Sequence, residues 1–153
     1  MSYTNNSTEE YINQLYRAID IHHPHQLDIE EIASRNGLSV AYLATEAMNI
    51  KGTIVLDDRA TAAEQWQDFG HELCHALWHS GNQITMPMPY QVYQENKSNN
   101  FAQYACIPSF MLHEMKLPEH ENEAVWLIME TFGVTRDFAK KRLEQYLRNL
   151  IYG

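Results

Sequence analysis

The stretch His71-Glu72-Leu73-Cys74-His75-Ala76-Leu77-Trp78-His79 decides how the rest of this chain is read. It sets two histidines and a glutamate at the H-E-x-x-H spacing, with a third histidine one turn on. On an α-helix positions i and i+4 share a face, about 6 Å apart along the axis, so His71 and His75 can turn their rings toward one ion. Glu72 borders that face and is the candidate catalytic base toward a water activated by zinc. With His71 at zero on a helical wheel, His75 falls at about 40°, whereas Phe69, Leu73, Ala76 and Leu77 gather at about 140 to 240°. One side of the helix therefore packs on a core and the other presents imidazoles. Gly70 costs about 1 kcal/mol of helix propensity relative to alanine, and its missing side chain would let another backbone or a substrate come close. His79 stands about 12 Å up the axis from His71, too far for both to reach one ion through Zn–N bonds of about 2 Å. It is read as a residue beside the site, and the third ligand has to come from elsewhere.

Working outward, Thr61 is the N-cap of this helix, Glu64 completes a capping box, and Ser80-Gly81-Asn82 ends it after about 20 residues. Before it, Gly52 to Asp58 is the clearest strand, β-branched and bounded by turn residues, and belongs to a small sheet over the metal helix. After it, Gln83 to Tyr93 holds Met86-Pro87-Met88-Pro89-Tyr90 and reads as a loop able to line a cleft. Tyr90, Tyr93 and His79 are candidate donors to a developing oxyanion. Glu95 to Cys106 returns to helix and Ile107-Pro108 closes it, with Glu95, Asn99, Ala102 and Cys106 on one face. A lone helical glutamate is ordinarily a solvated charge. A catalytic zinc needs three protein ligands, however, and that requirement makes Glu95 the candidate third ligand. Asn99 is the candidate to support the ligands from behind.

Toward the N-terminus, Ser7 to Ile21 is an amphipathic helix capped by Ser7 or Thr8, ending in a solvated loop at His22-His23-Pro24-His25. Leu27 to Ala33 is a short helix entered from Asp28 and closed by Asn36-Gly37, and Leu38 to Leu43 is a strand or a second helix. The helix, glycine, helix cadence here resembles a DNA-binding module, but Ser39 to Met48 has no Arg or Lys for phosphates. Toward the C-terminus, Ser109 to Met115 is a short helix whose His113-Glu114 reads as a partly exposed pair rather than rival ligands. Glu119 to Phe132 follows, with Val125, Ile128, Met129 and Phe132 buried and Gly133 as C-cap. Thr135 caps a last helix packed through Phe138, Leu143, Tyr146, Leu147 and Leu150. Arg136, Lys140, Lys141 and Arg142 on it could face DNA, and a solvated basic face is the preferred reading in so acidic a chain.

At 153 residues and 44% hydrophobic, the chain fits one domain spanning 1–153. Its parts are an N-terminal helical region (1–50), the sheet with the H-E-x-x-H helix and the Glu95 helix (51–110), and C-terminal helices (111–153). The net charge of −9 argues against general nucleic-acid binding. The first ten residues do not read as a secretory signal, and the longest apolar run, Val125 to Met129, is far too short to span a membrane. Cys74 and Cys106 then read as free thiols in the cytoplasm.

Three blocks together resemble the ImmA/IrrE family of intracellular zinc metallopeptidases: His71 to His79, Glu95-Asn96-Lys97-Ser98-Asn99-Asn100-Phe101-Ala102 with Ile107-Pro108, and Phe132-Gly133-Val134-Thr135 with Arg142-Leu143. Ser98 and Lys97 depart from the family's usual alanine and acidic residue. The resemblance implies a zincin-like α+β domain, mostly helical with a small sheet, holding one Zn²⁺ through His71, His75 and Glu95 and using Glu72 as proton carrier. It also implies a protein substrate, a helix-turn-helix repressor of a phage, mobile element or stress regulon. The alternative is a regulatory module that docks on a repressor or DNA, with zinc structural or absent.

Overall fold

The structure, a computed structural model, describes residues 3–78 and 86–152, with the side chains of 95, 96, 151 and 152 outside the description. It is α+β and mostly helical, with one small mixed sheet. The first helix, α1 (Ser7–Ala18), is capped by Asn6, not by Ser7 or Thr8. Asn6 Oδ1 accepts from the Glu9 amide and Glu9 Oε1 accepts from the Asn6 amide, closing a capping box. The histidine-rich segment contains a single 3-10 turn at Pro24–Gln26. α2 (Ile29–Arg35) starts at Asp28, whose carboxylate accepts from the Glu31 amide, and closes at Asn36-Gly37 with Gly37 at φ 74°.

Leu38 to Leu43 resolves as strand rather than helix, because β1 (Ser39–Leu43) finds a partner in the sheet. β2 (Met48–Ile50) follows, so two of three strands lie in the region expected to be helical. β3 (Thr53–Asp57) is central, parallel to β1 with Ser39 opposite Thr53 and antiparallel to β2 with Met48 opposite Val55. The β2–β3 turn is Lys51-Gly52, both at positive φ (47° and 85°), the geometry that matches the twist of a tight hairpin and suits glycine at its second position. Ile54, Val55 and Leu56 are all buried, as befits a strand flanked by neighbours on both edges.

α3 (Ala62–Trp78) carries the central motif and packs on β3 and β2. Its N-terminus is as expected: Glu64 Oε1 accepts from the Thr61 amide and Thr61 Oγ1 from the Glu64 amide. Its expected end at Ser80-Gly81-Asn82 lies outside the described residues. The Met86–Tyr93 segment is a loop only as far as Pro89, since α4 (Tyr90–Asn96) begins there. The single helix expected from Glu95 to Cys106 is broken: α5 (Asn99–Cys106) is separated from α4 by Lys97 and Ser98, at φ 29° and 63°. Ser98, with ψ −49°, is the centre of a γ-turn closed by the Asn99 amide on the Lys97 carbonyl at 2.7 Å, a conformation costly for a residue with a side chain. Glu95 and Asn99 therefore sit on different helices rather than on one face.

α6 (Ser109–His113), α7 (Glu121–Phe132) and α8 (Arg136–Tyr152) complete the chain, with Gly133 at φ 67° capping α7. Val125, Ile128 and Phe132 are buried and Met129 partly so; on α8 Leu147 is exposed, and Ala139 and Arg142 take the place in the core expected for it. No helix among the described residues is long and apolar enough to cross a membrane.

Candidate functional site

The site forms where α5 crosses α3. At the crossing stands Gly70, where an added Cβ would meet Cys106 Sγ at 2.9 Å and Ala102 Cα at 3.2 Å. The glycine is thus explained by the close approach of another backbone. One residue on, His71 points to the neighbouring helix: its Nδ1 lies 3.0 Å from Asn99 Oδ1. A carbonyl oxygen on that side means Nδ1 carries the hydrogen and donates, which in the neutral imidazole leaves the lone pair on Nε2. The strained Lys97-Ser98 turn is what starts α5 at Asn99 and brings that amide to the ring.

His75 lies beside His71, ring centroids 5.5 Å apart and planes at 58°. Two imidazoles on one tetrahedral ion, with Zn–N near 2.1 Å, hold their centroids about 5 Å apart, so the pair fits a shared metal. Glu72 Oε2 stands 3.8 Å from His71 Nε2, with its side chain only 12% exposed. Tyr93 sets its ring edge-on to His75 at 6.4 Å and stacks on Trp78 at 4.4 Å, whereas Tyr90 is 67% exposed. Glu95 is on α4, its side chain outside the described residues, and His79 lies outside them altogether. Among the described residues no group of three His, Cys, Asp or Glu side chains is placed to hold a metal.

Sequence reasoning missed a cleft of about 350 Å³ that opens beside His71 between α3, α5 and α8. Asp68 and Gln67 line one wall; they fall on the His71 face of α3, and that spacing alone could have marked them. Asp137, Phe138 and Lys141 of α8 line the other, with Gln103 of α5 between. Their arrival depends on long-range packing, including the Thr135 amide donating to Gln67 Oε1 at 2.7 Å. Burial raises the Asp68 carboxyl above the usual aspartate range, Glu64 and Asp57 add to the rise, and His71 opposes it.

The other singled-out residues separate from this site. Cys74 and Cys106 are buried and unbonded, and burial pushes the Cys74 thiol up to about 11. The His113 ring meets the Tyr146 hydroxyl at 2.8 Å. Of the basic residues on α8, Arg142 is a correction: it is fully buried, donating from Nε to the Ile107 carbonyl at 3.0 Å and from Nη2 to Ser109 Oγ at 2.7 Å. It cannot meet phosphates. Arg136 donates to Asn122 Oδ1, which leaves Lys140 and Lys141, of the four residues named for that face, exposed and without such a contact among the described residues.

Residues 22–144 match the family described as the IrrE N-terminal-like domain, Peptidase_M78. The chain is similar to the phage-like element PBSX protein XkdA of Bacillus subtilis, 39% identical over 92% of this chain and 73% of that protein. It is also similar to the uncharacterized protein YqaB of the same organism, 38% identical over 98% of this chain and 90% of that protein. No solved structure matches. A match over most of the chain and two relatives of this identity agree with the H-E-x-x-H geometry of α3, and the chain belongs to the IrrE N-terminal-like domain family.

Proposed function

We propose that this protein is a zinc-dependent peptidase in which His71, His75 and Glu95 hold the metal and Glu72 carries the proton. The observation that carries this reading is the pair of converging imidazoles on α3, one of them with its tautomer set by Asn99 so that Nε2 is free. Bound zinc would supply Lewis acidity toward water and the scissile carbonyl. Glu72, sheltered beside His71 Nε2, takes a proton from the attacking water and passes it to the leaving amine nitrogen. Tyr93, held against His75 and Trp78, is better supported than the exposed Tyr90 as a donor to the oxyanion.

The substrate in this reading is a protein, specifically a helix-turn-helix repressor of a phage or mobile element. It is supported by the resemblance of the three sequence blocks and by a relative named for a phage-like element. Two unpaired buried thiols accord with a cytoplasmic enzyme. The DNA-docking alternative loses Arg142 from its basic face.

Replacing Glu72 by Gln removes the proton carrier and keeps the imidazoles. We expect turnover of a quenched-fluorescent peptide library to fall by about 10²–10⁴-fold with zinc content unchanged, measured by metal analysis on the same sample. Full activity in Glu72→Gln would sink the mechanism. Unchanged zinc in Glu95→Ala would remove Glu95 from the ligand set. For the substrate class, incubation with purified helix-turn-helix repressors and with unfolded casein, read by mass spectrometry, should give discrete cuts in a repressor only.

A further inference from the structure

We infer that the cleft between α3, α5 and α8 is the subsite that receives a long basic side chain of the substrate, with Asp68 as its charge partner and Gln103 as its hydrogen-bond partner. The inference rests on the peptidase reading, because the cleft acquires this meaning from its place beside His71.

Three observations converge on it. The first is charge. On the α8 wall Asp137 and Lys141 stand at i and i+4 and offset each other. On the opposite wall Asp68 has no hydrogen bond or ion pair among the described residues, and the carboxylates that act on it, Glu64 and Asp57, are of its own sign. The uncompensated charge of the cleft is therefore negative, and it is partly desolvated, where a cation gains most.

The second is an orphaned polar group. Gln103 is only 4% exposed, lines the cleft, and its Oε1 has no hydrogen-bond partner. Buried carbonyl oxygens are nearly always paired, so an unpaired one at a cleft wall points to a donor that arrives with the ligand. Guanidinium and ammonium groups carry only donors, and a small turn of the carboxamide lets either one be met. The third is shape and lining: at about 350 Å³, with Phe138 and Ala102 alongside the polar groups, the cleft has room and apolar surface for an aliphatic stem.

A glutamate side chain would instead meet Asp68 and Asp137 with Lys141 as its sole cation. A purely aliphatic one would desolvate Asp68 further and leave it unpaired. Both are disfavoured by the same lining that suits arginine or lysine.

The test has two arms, both on the zinc-loaded protein. In the first, a quenched-fluorescent peptide library is cleaved and the products sequenced. Arginine and lysine should be enriched about tenfold over norleucine at one position flanking the scissile bond. Asp68→Asn should reduce that enrichment to about twofold. Gln103→Leu should weaken it also, and cleavage of peptides with a neutral residue there should persist in both variants. In the second arm, Nα-acetyl-arginine amide and Nα-acetyl-norleucine amide are titrated while backbone amide shifts are recorded by NMR. Only the arginine probe should shift Asp68, Gln103 and Asp137, and Asp68→Asn should abolish the response.

Cleavage with no basic preference, with a glutamate preference, or with a preference untouched by Asp68→Asn would overturn the subsite and leave the peptidase standing. Selective binding of the arginine probe by a protein that cleaves nothing would overturn the peptidase reading and support the cation site. Absence of both enrichment and binding would overturn the subsite.

Discussion

Where α5 crosses α3, contact is made by what is missing: Gly70 has no side chain, so Ala102 and Cys106 close directly onto the α3 backbone. Where α8 meets α6 and α1, contact is made of polar groups taken out of water. Arg142, Ser109 and Glu9 are all buried, with Arg142 donating to Ser109 Oγ, Ser109 donating to Glu9 Oε2, and the Tyr3 hydroxyl donating to the same carboxylate at 2.5 Å. The Arg142 guanidinium also lies over the Tyr104 ring, 4.8 Å from its centroid. The first seam leaves polar groups at its rim for chemistry. The second uses its polar groups internally and holds the long C-terminal helix, which forms one wall of the cleft, in place.

The difference can be broken most sharply at Arg142. Arg142→Leu leaves Ser109 and the Glu9 carboxylate buried without their cationic partner, and we expect a loss of about 3–5 kcal/mol, read by urea unfolding. Adding Glu9→Gln, which keeps the capping oxygen, should recover part of that loss, giving a coupling of about 0.5–3 kcal/mol between the two substitutions. Simple additivity would mean that the chain Arg142–Ser109–Glu9 is two separate contacts.

At the rim of the first seam the expected effect is on metal rather than on fold. Asn99 is exposed, and its described side-chain partner is the His71 Nδ1 hydrogen. Asn99→Ala frees the imidazole to rotate and lose its tautomer. We expect zinc affinity to drop about 10–100-fold, measured by chelator competition, with unfolding changed by less than about 0.5 kcal/mol. Unchanged affinity would remove Asn99 from the support of the site. A large change in stability would make it a structural residue.

These two seams also mark how far the sequence could be read. Phe69, Leu73 and Leu77 opposite His71 and His75 are a local pattern, written at helical period, and α3 follows it from the Thr61 cap onward. Asn99 was within reach because it lies in the same block as Glu95, although the break at Lys97-Ser98 was not, since neither residue announces a positive φ. Arg142 shows the limit. On its own helix it reads as one of several basic surface residues, and only the arrival of Ser109 and Glu9, 33 and 133 positions away in sequence, makes it a core residue. The cleft beside His71 was illegible for the same reason: one of its walls comes from α8, whose position depends on that buried arginine. Strand β2 went unread because three residues hold too few periods to declare themselves, and β1 stayed open between strand and helix because it lacks the run of β-branched residues that marks β3.

The smallest effect tests the seam made by absence. Gly70→Ala has two opposed consequences on a helix interior. Alanine gains about 1 kcal/mol of propensity, while its methyl would sit 2.9 Å from Cys106 Sγ and 3.2 Å from Ala102 Cα. Overpacking of this kind costs about 1–3 kcal/mol, because the backbone of α5 cannot rotate away as a side chain could. We expect a net loss of about 1 kcal/mol, with zinc affinity falling as α5 and its Asn99 are pushed outward. Cys106→Ala in the same background removes the nearer obstacle and keeps the farther one, so it should restore part of the stability. A stabilised Gly70→Ala protein would show that the two helices have slack. The glycine would then reflect substrate access rather than close packing.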